Sequence, residues 1–167
     1  GRIGTAASVP SLLDLLSDDN EMVRKSAAVG LGRTISKLES RPPEGAIREL
    51  ARTLDDPSYA VRYSASDALG KLGKPTVDYL KENIGGRQRI GRLMAVRTLG
   101  LSKSRKALRT LADLLVHPDW ATRAFAAEAM GAIGPDRGAR RKLERLLESE
   151  NHPLVLSEAR SALEGAR

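Results

Sequence analysis

The sequence predicts an all-α fold, a right-handed α-solenoid of about five helical hairpins within 167 residues. Three observations predict it. A motif of Val-Arg, small residues and Leu-Gly fills residues 23–32 and 61–70, returns in varied form at 91–100 and 122–131, and decays at 155–164. Successive copies are offset by 38, 30, 31 and 33 residues, and a recurrence of roughly 20–50 residues marks a stacked array whose units pack on their neighbours. Leucine pairs spaced i, i+4 precede each copy, and no stretch alternates with period two, so helices are expected and strands are not.

The first helix of each unit carries its pair on one face: Leu12 and Leu16, Leu50 and Leu54, Leu80 and Ile84, Leu111 and Leu115, Leu143 and Leu147. Eight residues separate the second of these from Arg24, Arg62, Arg92 and Arg123 in the first four units. Between the helices lie Asp18-Asp19-Asn20-Glu21, Asp55-Asp56-Pro57-Ser58 and His117-Pro118-Asp119. Asn20, Ser58 and Asp119 share one position and are expected to cap the second helix through an orphan N–H of its first turn. Gly73-Lys74-Pro75 and Gly134-Pro135 end second helices. The third copy replaces the acidic turn with Gly85-Gly86-Arg87-Gln88-Arg89, and the fifth has Leu156 in place of the arginine. The units are placed at residues 5–37, 43–73, 75–101, 104–134 and 135–167, one continuous array over 1–167.

This pattern resembles the HEAT repeats, in particular the short phycobilisome-lyase-type variety with its acidic turn, Val-Arg, paired alanines and Leu-Gly. The resemblance covers essentially the whole chain. It implies that the second helices line a concave face. It also implies that Arg24, Arg62, Arg92 and Arg123 are structural, each guanidinium lying between repeats and paired to an acidic turn residue, with Asp19, Asp56 and Asp119 available. A planar group with five donors on an aliphatic stem suits a partly buried bridge.

Composition agrees with a packed, water-soluble fold: 41% hydrophobic, 29% charged and only 3% aromatic, so aliphatic and small residues fill the interior. The absence of cysteine removes disulfides, thiolate metal sites and a cysteine nucleophile. No apolar run reaches the roughly 20 residues needed to cross a bilayer, and a cytoplasmic location is expected. Gly1-Arg2-Ile3-Gly4 matches the end of a second helix, so the chain reads as cut from a longer array, with self-association through exposed ends.

Positions one, five and nine after each arginine are expected on the outward stripe of the second helices. They are Lys25, Val29 and Arg33; Tyr63, Asp67 and Lys71; Leu93, Arg97 and Leu101; Ala124, Glu128 and Ala132. The charge is uneven. Eight bases and no acid lie between Glu82 and Asp113, namely Arg87, Arg89, Arg92, Arg97, Lys103, Arg105, Lys106 and Arg109. The rest of the chain holds 20 bases against 21 acids, so the net charge of +7 resides in this segment. Arg87 and Arg89 are expected at one edge, Arg97 on the inner face, and Lys103, Arg105 and Lys106 at the other edge, a band roughly 20–25 Å long. Cations opening a helix oppose its macrodipole, and a bound anion would relieve that conflict.

No catalytic motif or cofactor site emerges, and no metal site. His117 and His152 sit singly in turns, and the several His-Glu pairs of deoxyhypusine-type HEAT hydroxylases are missing. Trp120 is read as inter-repeat packing rather than the aromatic grip of a HEAT-like DNA glycosylase, and Tyr63 alone does not make the tetrapyrrole groove of a phycobilin lyase. The sequence therefore points to a non-catalytic scaffold docking an acidic protein partner through Lys25, Arg33, Tyr63, Lys71, Leu93, Leu101 and the basic band. The alternative is nucleic-acid binding through phosphate contacts by residues 87–109, with a DNA glycosylase-like or phycobilin lyase-like HEAT enzyme a distant third.

Overall fold

In the computed structural model, backbone is described for residues 2–38 and 43–165, and side chains for 8–38, 43 and 45–165. The all-α solenoid expected from the sequence is the fold observed. Five hairpins follow one another: α1 (Arg2–Asp14) with α2 (Glu21–Ser36), α3 (Glu44–Arg52) with α4 (Tyr59–Leu72), α5 (Lys74–Asn83) with α6 (Arg89–Leu101), α7 (Ala107–Leu114) with α8 (Trp120–Ile133), and α9 (Arg137–Ser149) with α10 (Pro153–Glu164). Single 3-10 turns at Leu15–Ser17 and Thr53–Asp55 extend α1 and α3. Sharp corners between hairpins fall on Gly73 and Gly134, whose φ angles of 66° and 87° are left-handed and suit glycine. Residues 39–42, 166 and 167, which belong to the predicted second-unit approach and fifth unit, lie outside the described residues.

The second helices α2, α4, α6, α8 and α10 stand side by side in chain order and touch far more closely than the first helices do. The glycine of each Leu-Gly explains why. A Cβ added at Gly32 would lie 2.6 Å from the Ala68 Cβ, one at Gly100 3.0 Å from Ala129, and one at Gly131 2.9 Å from the Ala162 Cα. Gly70 instead meets Leu101, at 2.6 Å. Missing side chains on one helix thus receive small side chains of the next, and the array curves toward its second helices, making them the inner wall.

The core is a continuous aliphatic seam between the two rows. Leu50, Leu80, Leu111 and Leu143 are fully buried, as are Leu31, Leu69, Leu99 and Met130 from the second helices. Leu12 is only half-buried, and in the last hairpin Leu146 replaces Leu147 as the buried partner of Leu143. Of the expected caps, Asn20 accepts from the Met22 N–H at 2.9 Å and Asp119 from Thr122 at 3.2 Å. Ser58 makes no cap bond; its own N–H donates to Asp56 at 2.8 Å, so the acid takes over the turn.

Two substitutions separate packing from helix propensity. Gly45, in α3, has nothing within 4 Å of an added Cβ, so Gly45→Ala should gain up to about 1 kcal/mol from reduced unfolded-state freedom. Gly131→Ala should lower stability despite the same propensity gain, because its methyl meets backbone. Chemical denaturation of both variants checks this, with Leu111→Ala, expected to cost about 2–5 kcal/mol, as a core reference.

Candidate functional site

The repeated arginines form a ladder along the edge where first helices turn into second helices. Arg24 donates to both carboxylate oxygens of Asp56 in the next hairpin, at 2.8 and 3.0 Å, and to the carbonyls of Asp18 and Asp19 in its own turn. Arg123 repeats this with Glu150, at 2.6 and 3.0 Å, and the carbonyls of His117 and Pro118. Arg92 donates to Thr122 and to the Arg87 carbonyl, with Asp119 farther off at 3.9 Å. Each of these three guanidinium groups closes its own turn and ties it to the next.

Two expectations about this ladder need correction. Asp19 contributes its carbonyl, not its carboxylate. Arg62 has no carboxylate next door, because Gly86 stands where the other turns place Asp56, His117 and Glu150. It keeps the carbonyls of Asp56 and Pro57, and its guanidinium lies 5.7 Å from the Tyr59 ring centroid, but its buried Nε has no partner. Glu150 was missed in the sequence although it sits six residues before Leu156, as Asp56 sits six before Arg62.

Half of the basic band faces carboxylates within the chain. Arg87 is not a free turn cation: its side chain is 9% exposed and donates to Asp55 at 2.6 Å. Arg89 donates to Asp119 at 3.2 Å. The Asp55 carboxylate lies against the first turn of α6, where a Cβ on Gly91 would collide with it. The anion that these helix-opening cations call for is therefore supplied by the neighbouring hairpin, which corrects the expectation of a bound one. Arg97 donates to Asp67 at 2.9 Å and to Ser66 at 2.8 Å, with its guanidinium 3.8 Å from the Tyr63 ring centroid. Lys103 donates to the Ala132 carbonyl. Arg105, Lys106 and Arg109 are exposed and form no ion pair among the described residues.

On the inner wall, Arg33, Tyr63, Lys71, Leu101, Glu128 and Ala132 are exposed, whereas Lys25, Val29, Asp67, Leu93 and Arg97 are half-buried. Ala124 is buried, because α8 turns this position onto its neighbours, and it leaves the stripe. Tyr63, Arg97, Leu101, Phe125 and Glu128 border a shallow groove of about 290 Å³. Burial, then the nearby Glu158, raises the Glu128 carboxyl, against the pull of Arg97. A second groove, of about 660 Å³, opens between α7 and α9 on the other side, with Val116 83% exposed beside Leu146, Lys142 and Arg145. The lone Val116 following the α7 leucines was its sequence signal.

His117 accepts from the Asp119 N–H, and His152 stacks on Trp120 with centroids 4.1 Å apart, tying the fourth hairpin to the fifth. Among the described residues no three His, Asp or Glu side chains gather as metal ligands, and no helix is long and apolar enough to cross a membrane.

Family patterns match this geometry. The HEAT-repeat pattern covers residues 9–38 and a multiple HEAT-repeat pattern covers 86–164. The chain belongs to the HEAT-repeat family. It is 35% identical over 83 residues to an uncharacterized phycocyanin operon protein Z of Pseudanabaena tenuis, covering 49% of this chain and 41% of that protein, less than half its length. Among solved structures it resembles the complex of CpcE and CpcF of phycocyanin lyase from Nostoc sp. PCC7120, with TM-score 0.66, 19% identity, and coverage of 94% of this chain and 98% of that one. Human deoxyhypusine hydroxylase gives TM-score 0.59 and 20% identity, covering 96% of this chain and 74% of that one. At these identities the structural likeness is one of fold.

The ladder carries a pH signature. Hydrogen bonds from Arg123, opposed by burial and aided by the His152 and Asn151 N–H groups, hold Glu150 at about 2 instead of 4.5. Burial raises Asp56, but hydrogen bonds from Arg24 and Ser58 leave it below its ordinary value. A carboxyl depressed by folding stabilises above its unfolded pKa and loses that contribution as pH falls through the folded one. Melting temperature should therefore drop from about pH 4.5 toward about pH 2, and less steeply in Glu150→Gln. An unchanged slope in that variant would show that the pair contributes nothing.

Proposed function

We propose that the chain is a non-catalytic HEAT-repeat adaptor whose inner wall docks a protein partner. The observation that supports this most is the cluster around Arg97. Tyr63 and Leu101, each 40% exposed, flank a guanidinium fixed by a ring and a carboxylate. Aromatic and arginine side chains held in place are the groups that anchor protein interfaces, since little freedom remains to be lost on binding. Tyr63→Ala combined with Leu101→Ala should weaken partner binding at least tenfold by calorimetry while leaving helicity intact. Unchanged affinity overturns the reading. Phosphate binding by residues 87–109 ranks behind it, because Arg87, Arg89, Arg92 and Arg97 already face carboxylates.

A second reading draws on the phycocyanin operon relative: one subunit of a two-chain lyase-type assembly that handles a bilin. Under it, adding a bilin to this chain with its partner chain should shift the pigment's visible absorption. Under the adaptor reading the spectrum stays that of free pigment.

A further inference from the structure

We infer that the edge where second helices turn into the next first helices is a docking surface for an extended acidic segment of a partner protein. The inference rests on the adaptor reading and adds a partner chemistry and a surface that meets the inner wall at Lys71.

The two edges of the array differ in kind. On the first-to-second edge, Arg24, Arg87, Arg89, Arg92 and Arg123 all face carboxylates. On the opposite edge stand Lys37 after α2, Lys71 and Lys74 across the α4–α5 corner, Arg105 and Lys106 before α7, and Arg137 opening α9. All six are exposed and form no ion pair among the described residues. Of the described acids in these segments, Asp67, which lines a groove with Lys71, is taken by Arg97, Asp136 caps α9 through the Ala139 N–H, and Asp78 and Glu164 are exposed. The edge is continuous: Lys103 reaches the α8 end through the Ala132 carbonyl, and Arg140 reaches the α10 end through the Leu163 carbonyl.

Fold stability does not account for these cations. Lys71 closes a helix, where a cation is favoured, but Lys74, Lys106 and Arg137 sit at the start of helices, where the macrodipole opposes them. Geometry narrows the partner. Second helices in glycine contact stand about 8–10 Å apart, and three residues of an extended polyproline II chain rise about 9 Å and bring the side chain back to the same face. An acid at every third position would therefore meet one basic cluster per hairpin. Base stacking finds little here, since the exposed aromatics Tyr59, Tyr63 and Trp120 lie toward the other edge.

The test is fluorescence polarisation at low salt with three probes: a peptide of about 15 residues with Glu at every third position, a peptide of equal composition with its glutamates in one block, and a short DNA duplex. Lys74→Glu with Lys106→Glu should weaken the spaced peptide at least tenfold, and the milder Lys74→Gln with Lys106→Gln several-fold, with circular dichroism unchanged. Lys81→Glu on the other edge should leave it unchanged, while Tyr63→Ala with Leu101→Ala tests the inner wall separately. Equal affinity for the blocked peptide, tighter binding of the duplex, or insensitivity to the edge variants would overturn the inference. If the inner-wall variant abolished peptide binding while the edge variants did not, the edge would fall and the adaptor reading would stand.

Discussion

Close approach between second helices is the constraint on which the rest of the structure depends. Gly32, Gly100 and Gly131, at one position of the repeat, let Ala68, Ala129 and Ala162 of the next helix come within close contact. That proximity draws the second helices into a tight inner wall and leaves the first helices more widely spaced. It also brings each turn within reach of the next, so that Arg24 and Arg123 can span the gap with two hydrogen bonds apiece. Curvature and the arginine ladder are consequences of one packing choice, repeated.

The seam between the second and third hairpins departs from this rule. There the offset is shortest, Gly70 meets Leu101 instead of alanine, and Arg62 finds no carboxylate. A polar network fills the contact: Ser66 and Thr98 are fully buried and joined at 2.9 Å, with Arg97 donating to both Ser66 and Asp67. Because the network ends at the surface on Tyr63, the irregular seam is also where the inner wall presents its most anchored cluster. Departure from the repeat and candidate function coincide at one place.

Much of this was legible in the sequence. Leu50, Leu80, Leu111 and Leu143 could be placed in the core because a helical period aligns them, and the hairpin order followed from the register of the arginines. The charge band was legible as composition but misleading as surface. Arg87 and Asp55 are 32 residues apart, and Arg89 and Asp119 are 30 apart, so their pairing depends on how hairpins stack, which local spacing does not encode. Ala124 left the stripe for a similar reason: position nominates a face, and the neighbouring helix decides whether water reaches it. The polarity of the two edges was only partly visible, because the contributing bases are spread over several repeats.

Charge therefore separates by edge as well as along the chain, with one rim mostly paired internally and the other open. That distribution follows from the stacking, and the stacking from glycine contact. The most direct test is a double-mutant cycle at Gly32 and Ala68, where a Cβ added at Gly32 would stand 2.6 Å from that of Ala68. Gly32→Ala and Ala68→Gly should each destabilise, and the double variant should recover about 1 kcal/mol or more of their summed cost, since removing one methyl makes room for the other. Additive effects, within about 0.5 kcal/mol, would mean that the two helices are not held at this distance by that contact.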